Sequence, residues 1–127
     1  MSLDTLFLPA AAATISDDSL LVDRVSAGLH EQLPFAEALA TLQAPWRLVL
    51  PVEAVTACAV QLPTQKSRWL RQALPFAVEE LLAEDVELFH LALGEPLADG
   101  RHRVFAVRQD WLHRWLKRCG ERAPASI

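Results

Sequence analysis

Residues 61–90, QLPTQKSRWLRQALPFAVEELLAEDVELFH, carry the pattern that most restricts what this chain can become. Apolar residues recur in pairs, Trp69/Leu70, Ala73/Leu74, Ala77/Val78 and Leu81/Leu82, each about one helical turn after the last. That spacing predicts amphipathic helix with one buried face. Pro75 interrupts the stripe: it has no N–H to give the Arg71 carbonyl, and its ring crowds the preceding turn, at a cost of about 3 kcal/mol in a helix interior. A kink or a break into two helices is therefore expected at Pro75. The charges favour the break, since Lys66, Arg68 and Arg71 precede the proline and Glu79, Glu80, Glu84 and Asp85 follow it. That order opposes the macrodipole of one continuous helix and suits two, although each charge is worth only about 0.3–1 kcal/mol. Thr64 is placed as the N-cap of the first helix and Pro75 in the first turn of the second.

The flanking sequence supplies strands. Leu3–Leu8 and Ser19–Val25 read as a hairpin across the turn signal Ser16-Asp17-Asp18, with Ala10–Ala13 either extending the first strand or looping out. Glu31–Leu42 has the spacing of a short helix, with Pro34 tolerable only in its first turn. WRLVL, Trp46–Leu50, reads as a strand buried on both faces in the middle of a sheet. Val55–Leu62 is a further strand, entered through the turn Pro51-Val52-Glu53. Val86–Leu93 and Arg101–Arg108 form a hairpin across the loop 94–100, which holds Gly94, Pro96, Asp99 and Gly100. Asp110 caps a helix from Trp111 to Cys119 that Gly120 stops, and residues 123–127 are expected to fray. The fold class is α/β with a mixed sheet, and from residue 55 the order is strand, helix pair, strand, strand, helix.

A chain of 127 residues and 14.1 kDa is enough for one domain or two small modules. With 52% hydrophobic residues it is globular. No apolar run approaches the 18 or so residues of a membrane span, and the N-terminus lacks the basic start and long core of a signal peptide. The expectation is a soluble, cytoplasmic chain. Cys58 and Cys119 belong to no C-x-x-C pair, which makes reduced thiols the reading and a disulfide or zinc site not. Residues 1–100 carry 5 basic against 14 acidic side chains, and residues 101–127 carry 7 against 2. The acidic body argues against nucleic acid as a partner.

Few residues invite chemistry. The pairs Glu79/Glu80 and Glu84/Asp85 could serve general acid–base work, but neighbours on a helix point about 100° apart, so neither pair converges on one atom. They read as a solvated or partner-facing acidic surface. His30, His90, His102 and His113 lack ligands at metal spacing, and His90 reads as a hydrogen-bonded structural residue. The four glycines, Gly28, Gly94, Gly100 and Gly120, stand singly, so no phosphate loop is present and no cofactor is expected. Trp111 and Trp115 share the helix face opposite most of the cations of residues 101–122. They read as core anchors, and the cations as a solvated face or one turned to a membrane or an acidic partner.

The run Leu62-Pro63, Arg68–Leu70, Gln72-Ala73-Leu74-Pro75-Phe76, Glu79, Leu82-Ala83-Glu84-Asp85-Val86 and His90 resembles, without gaps, the cytoplasmic part of the type II secretion system protein L family. The resemblance implies an actin-like, RNase H-like body without its nucleotide site: residues 1–52 as a partial RNase H-like subdomain, 53–122 as a βαββα interaction module and 123–127 as tail. It implies a scaffold and not an enzyme, one that binds the N-terminal domain of the secretion ATPase, protein E, beside platform proteins M and F. The membrane span of such a protein would lie outside this chain. The expected partner-binding residues are Glu79, Glu80, Glu84, Asp85, Pro75 and Phe76. The alternatives are a homodimerising structural module acting by self-association, and a nucleotide-binding enzyme of the actin–kinase superfamily.

Overall fold

A computed structural model describes residues 3–62 and 67–127. In chain order the elements are β1 (Asp4–Phe7), β2 (Leu21–Ser26), β3 (Leu29–Pro34), α1 (Phe35–Thr41), β4 (Trp46–Val49), β5 (Val55–Val60), α2 (Ser67–Val78), β6 (Phe89–Pro96), β7 (His102–Arg108) and α3 (Gln109–Cys119). Short 3-10 turns cover Ala10–Ala13, Val52–Ala54, Glu79–Leu81 and Val86–Leu88. The class is mixed α/β, as expected. Two compact units divide it, residues 1–54 with 111–127, and residues 55–110.

The first unit holds a sheet of order β3-β2-β1-β4, antiparallel except for β4, which runs parallel to β1. Register sets Leu6 opposite Arg24 and Leu48, and Asp4 beside Trp46, so these side chains share one face. Leu6, Val22, Trp46 and Leu48 are buried there, and Arg24 reaches the Thr41 hydroxyl of α1 and the Glu31 carboxylate at 3.0 Å. Phe35 of α1 meets Trp115 of α3 edge to face at 4.9 Å, an arrangement worth about 0.5–1.5 kcal/mol beyond burial. The indole N–H groups of Trp111 and Trp115 both donate to the Ala12 carbonyl, at 2.9 and 3.3 Å. These tryptophans are the core anchors the sequence suggested.

Three expectations for this unit need correction. The helix expected over Glu31–Leu42 is only α1, because Leu29–Pro34 is strand. Ala27 (φ 50°) and Gly28 (φ 81°) both take left-handed backbone, and a two-residue turn of that kind closes a tight hairpin between β2 and β3. β4 is the last strand in the order and not a central one, with Trp46 and Leu48 buried but Arg47 exposed. The tail does not fray: Ala125 N–H donates to the Trp46 carbonyl at 2.8 Å and Leu48 N–H to that of Ser126 at 3.0 Å, beside a parallel bridge between Arg47 and Ser126.

The second unit is a sheet of order β5-β7-β6, antiparallel throughout, with α2 on one face. Val60, Leu62, Val104, Leu70, Leu74 and Val78 form its buried cluster, joined by Cys58, Leu82, Val86 and Leu91. Here α2 is a single helix with Pro75 inside it, not two. Leu70, Leu74 and Val78 form one line of burial through the proline, and burying such side chains gives about 1.5–3 kcal/mol each. A break at Pro75 would turn that line off the sheet, so packing outweighs the proline's cost. The N-cap placed at Thr64 and the cation Lys66 lie outside the described residues. β6 starts at Phe89, later than the expected Val86, and runs to Pro96 through a bulge where a loop was expected. Gly94 is needed in that bulge, because a Cβ there would come within 3.0 Å of the Phe105 ring and 3.1 Å of the Arg103 carbonyl. Helix α3 from Trp111 onward belongs to the first unit, not to the module expected to end at residue 122.

Candidate functional site

The stretch from the end of α2 to the start of β6 gathers the candidate residues. Helical dihedrals stop at Val78, a 3-10 turn covers Glu79–Leu81, and Leu82 is extended (ψ 143°). A second 3-10 turn at Val86–Leu88 delivers the chain to Phe89. Ending the helix there leaves Leu81 53% exposed, where continuation of the stripe would have buried it. Glu79, Glu80, Glu84, Asp85 and Glu87 are all exposed.

Glu79, Leu82, Ala83, Glu84, Asp85, Val86 and Glu87 line an open depression of about 450 Å³. Glu84 accepts from Arg108 at 2.5 Å, and the other Arg108 amino group reaches Asp110 at 2.9 Å. Asp110 first and Glu84 second hold that guanidinium more firmly cationic than a free arginine. Asp110, expected as an N-cap, thus sits in the first turn of α3 with its carboxylate on Arg108. Glu79, Glu80, Asp85 and Glu87 have no ion pair among the described residues.

Of the expected partner-binding residues, Glu79, Glu84 and Asp85 line the depression together, while Glu80, Pro75 and Phe76 stand outside its lining. Phe76 is 79% exposed on the outer side of α2. Trp69, expected in the buried stripe, is 45% exposed. The available signal was its place seven residues before Phe76, two helical turns along the same face. Glu87 also lines the depression and was not singled out.

Other candidates disperse. His90 is exposed with no hydrogen-bond partner among the described residues, and it is His102 that is buried, with an unpaired Nδ1. Several cations of residues 101–122 are engaged within the chain: Arg101 by Asp99, Arg118 by Asp18 and Ser16, and Arg122 by the Leu42 carbonyl. Burial pushes the Cys119 thiol up to about 11, and the Cys58 thiol is raised for the same reason. Among the described residues no group of three or more His, Cys, Asp or Glu could hold a metal ion, and no helix is long and apolar enough to cross a membrane.

Comparison with known proteins places these surfaces in context. The family model of type II secretion system (T2SS), protein L, matches residues 6–123. A type II secretion system protein L of Pseudomonas aeruginosa is 63% identical over 124 residues, 96% of this chain but 32% of that protein. One from Dickeya chrysanthemi is 36% identical over 73 residues, 58% of this chain and 18% of that protein. The chain therefore spans about a third of the Pseudomonas relative. Among solved structures, the cytoplasmic domain of EpsL, an inner membrane component of the type II secretion system of Vibrio cholerae, matches with a TM-score of 0.66 at 23% identity. That match covers 98% of this chain and 55% of the solved one, and it shows a shared fold.

Proposed function

The chain belongs to the type II secretion system protein L family, and on that premise we propose that it is part of a cytoplasmic scaffold at the inner membrane that recruits the secretion ATPase, protein E, through its N-terminal domain. Platform proteins M and F are its further neighbours on this reading. The observation that carries it is the family match over nearly the whole chain, residues 6–123. On this reading residues 1–54 with 111–127 act as the actin-like host and residues 55–110 as the interaction module, working by surface and not by a reactive cleft.

The exposed carboxylates around the depression support the acidic face as the meeting point, since charged rims set orientation and association rate while apolar contacts supply affinity. Co-purification of this chain with the protein E N-terminal domain tests the reading. Glu80→Lys with Asp85→Lys is expected to weaken retention, because neither carboxylate has an internal cation among the described residues. No retention by the unmodified chain would remove the reading. Self-association is the second possibility, favoured by the outer edge of β6, whose one sheet partner among the described residues is β7. The mass in solution decides it. Thermal stabilisation by ATP, expected to be absent, decides against or for a nucleotide-binding enzyme.

A further inference from the structure

The inner side of α2 is accounted for by Leu70, Leu74 and Val78, while its outer side carries exposed aromatic side chains. Trp69 is 45% and Phe76 79% exposed, and their spacing puts them on one line along the helix. Exposed Gln72 lies between them, so the ridge is uncharged over two turns, with Arg71 turned to another side. Glu79 and Glu80 follow Phe76 by three and four residues, in the 3-10 turn at the end of α2, and put exposed carboxylates at that end of the ridge.

Those two carboxylates stand just past the C-terminus of α2, where the helix carbonyls already concentrate negative potential, and the last turn of α2 holds no cation. Asp85 and Glu87 add to the field without an ion pair among the described residues. Among the described residues no ion pair answers Glu79 and Glu80, an arrangement that suits a cation brought by a partner. Aromatic ridge and acidic end together fit an occupant whose apolar residues recur every three or four positions and whose lysines or arginines come one turn further on.

We infer that the Trp69–Phe76 ridge of α2 docks an amphipathic, basic helix of a partner protein, with the aromatic pair as anchor and Glu79/Glu80 fixing its register. The inference rests on the recruitment reading above and relocates the affinity from the acidic depression to the helix face beside it. Aromatic anchors lower the dissociation rate and lose little with salt, whereas charges act on association and are screened.

The test compares the unmodified chain, Trp69→Ala with Phe76→Ala, and Glu79→Gln with Glu80→Gln. The probes are the protein E N-terminal domain and a leucine/lysine amphipathic helix, with a leucine/glutamate helix as control. The aromatic variant is expected to bind about tenfold or more weakly at both about 50 mM and about 500 mM salt. The charge variant should bind several-fold more weakly at low salt and near the unmodified level at high salt. Circular dichroism and the unfolding midpoint, expected unchanged, separate lost binding from lost folding. If the unmodified chain binds protein E and the aromatic variant loses less than about tenfold, the docking inference is overturned and recruitment stands. If protein E does not bind, recruitment falls, and the leucine/lysine helix decides: binding that depends on Trp69 and Phe76 upholds the ridge, and binding that does not overturns it. Equal binding of the leucine/glutamate helix also overturns it.

Discussion

The two units spend their apolar residues differently. The first buries Trp46, Trp115 and Phe35 almost completely and ties its edges with side-chain bonds such as Arg118 to Ser16 and the Trp46 indole to the Arg122 carbonyl. The second has one helix on a three-stranded sheet, a buried cluster of leucine and valine, and Trp69, Phe76, Leu81, Leu88 and Leu93 left more than a third exposed. The first unit also leaves Leu29 and Val52 exposed, at 68% and 81%, so the two differ in the core they bury and in the aromatic character of what the second shows, not in how much apolar side chain stands outside.

The contrast can be broken most directly at Trp115. Trp115→Ala is expected to cost about 3–5 kcal/mol in urea unfolding, with amide exchange rising in β1 and β4 and little in β5 and β7. Uniform exchange through both sheets would show that the units do not differ as described. Leu74→Ala, at 5% exposure under α2, should cost about 2–5 kcal/mol and raise exchange in the second sheet instead.

Titration of Cys119 sharpens the comparison through the core of the first unit. Its thiol lies near 9.0 when unfolded and about 11 in the fold, so folding favours the neutral form. The contribution is intact below pH 9 and is lost as pH rises to about 11, a fall on the order of 2 kcal/mol that Cys119→Ala should abolish. Gly94→Ala is expected to cost about 1–3 kcal/mol, because the bulge must shift away from the Arg103 carbonyl. Phe76→Ala is the smallest effect, within about 0.5 kcal/mol on stability. A large loss there would mean the ridge is structural and not offered outward.

Strands with strict alternation, such as β7, and the amphipathic helix α3 were legible because local pattern and final environment agree. What escaped depended on residues distant in sequence. Pro75 reads as a breaker until the line Leu70, Leu74 and Val78 is seen lying on β5 and β7, and the tail reads as frayed until Trp46 and Leu48 are seen to bond it. β3 was hidden because Leu29–Pro34 has little hydrophobic alternation, and the informative residues were Ala27 and Gly28 in its turn. At the candidate site the acids were legible by composition, but the outward Trp69 was not, since pairing it with Leu70 assigned both to one face.

The first unit is discontinuous along the chain, interrupted by residues 55–110 and completed only by 111–127. During synthesis the insert leaves the ribosome in full before its host can finish, because the host waits for Trp111, Trp115 and the segment that bonds Trp46 and Leu48. For some seconds at typical translation rates of about 5–20 residues per second, α2 and its sheet are complete on the nascent polypeptide while the first unit is not, so the unit bearing the Trp69–Phe76 ridge matures ahead of the one that encloses it in sequence.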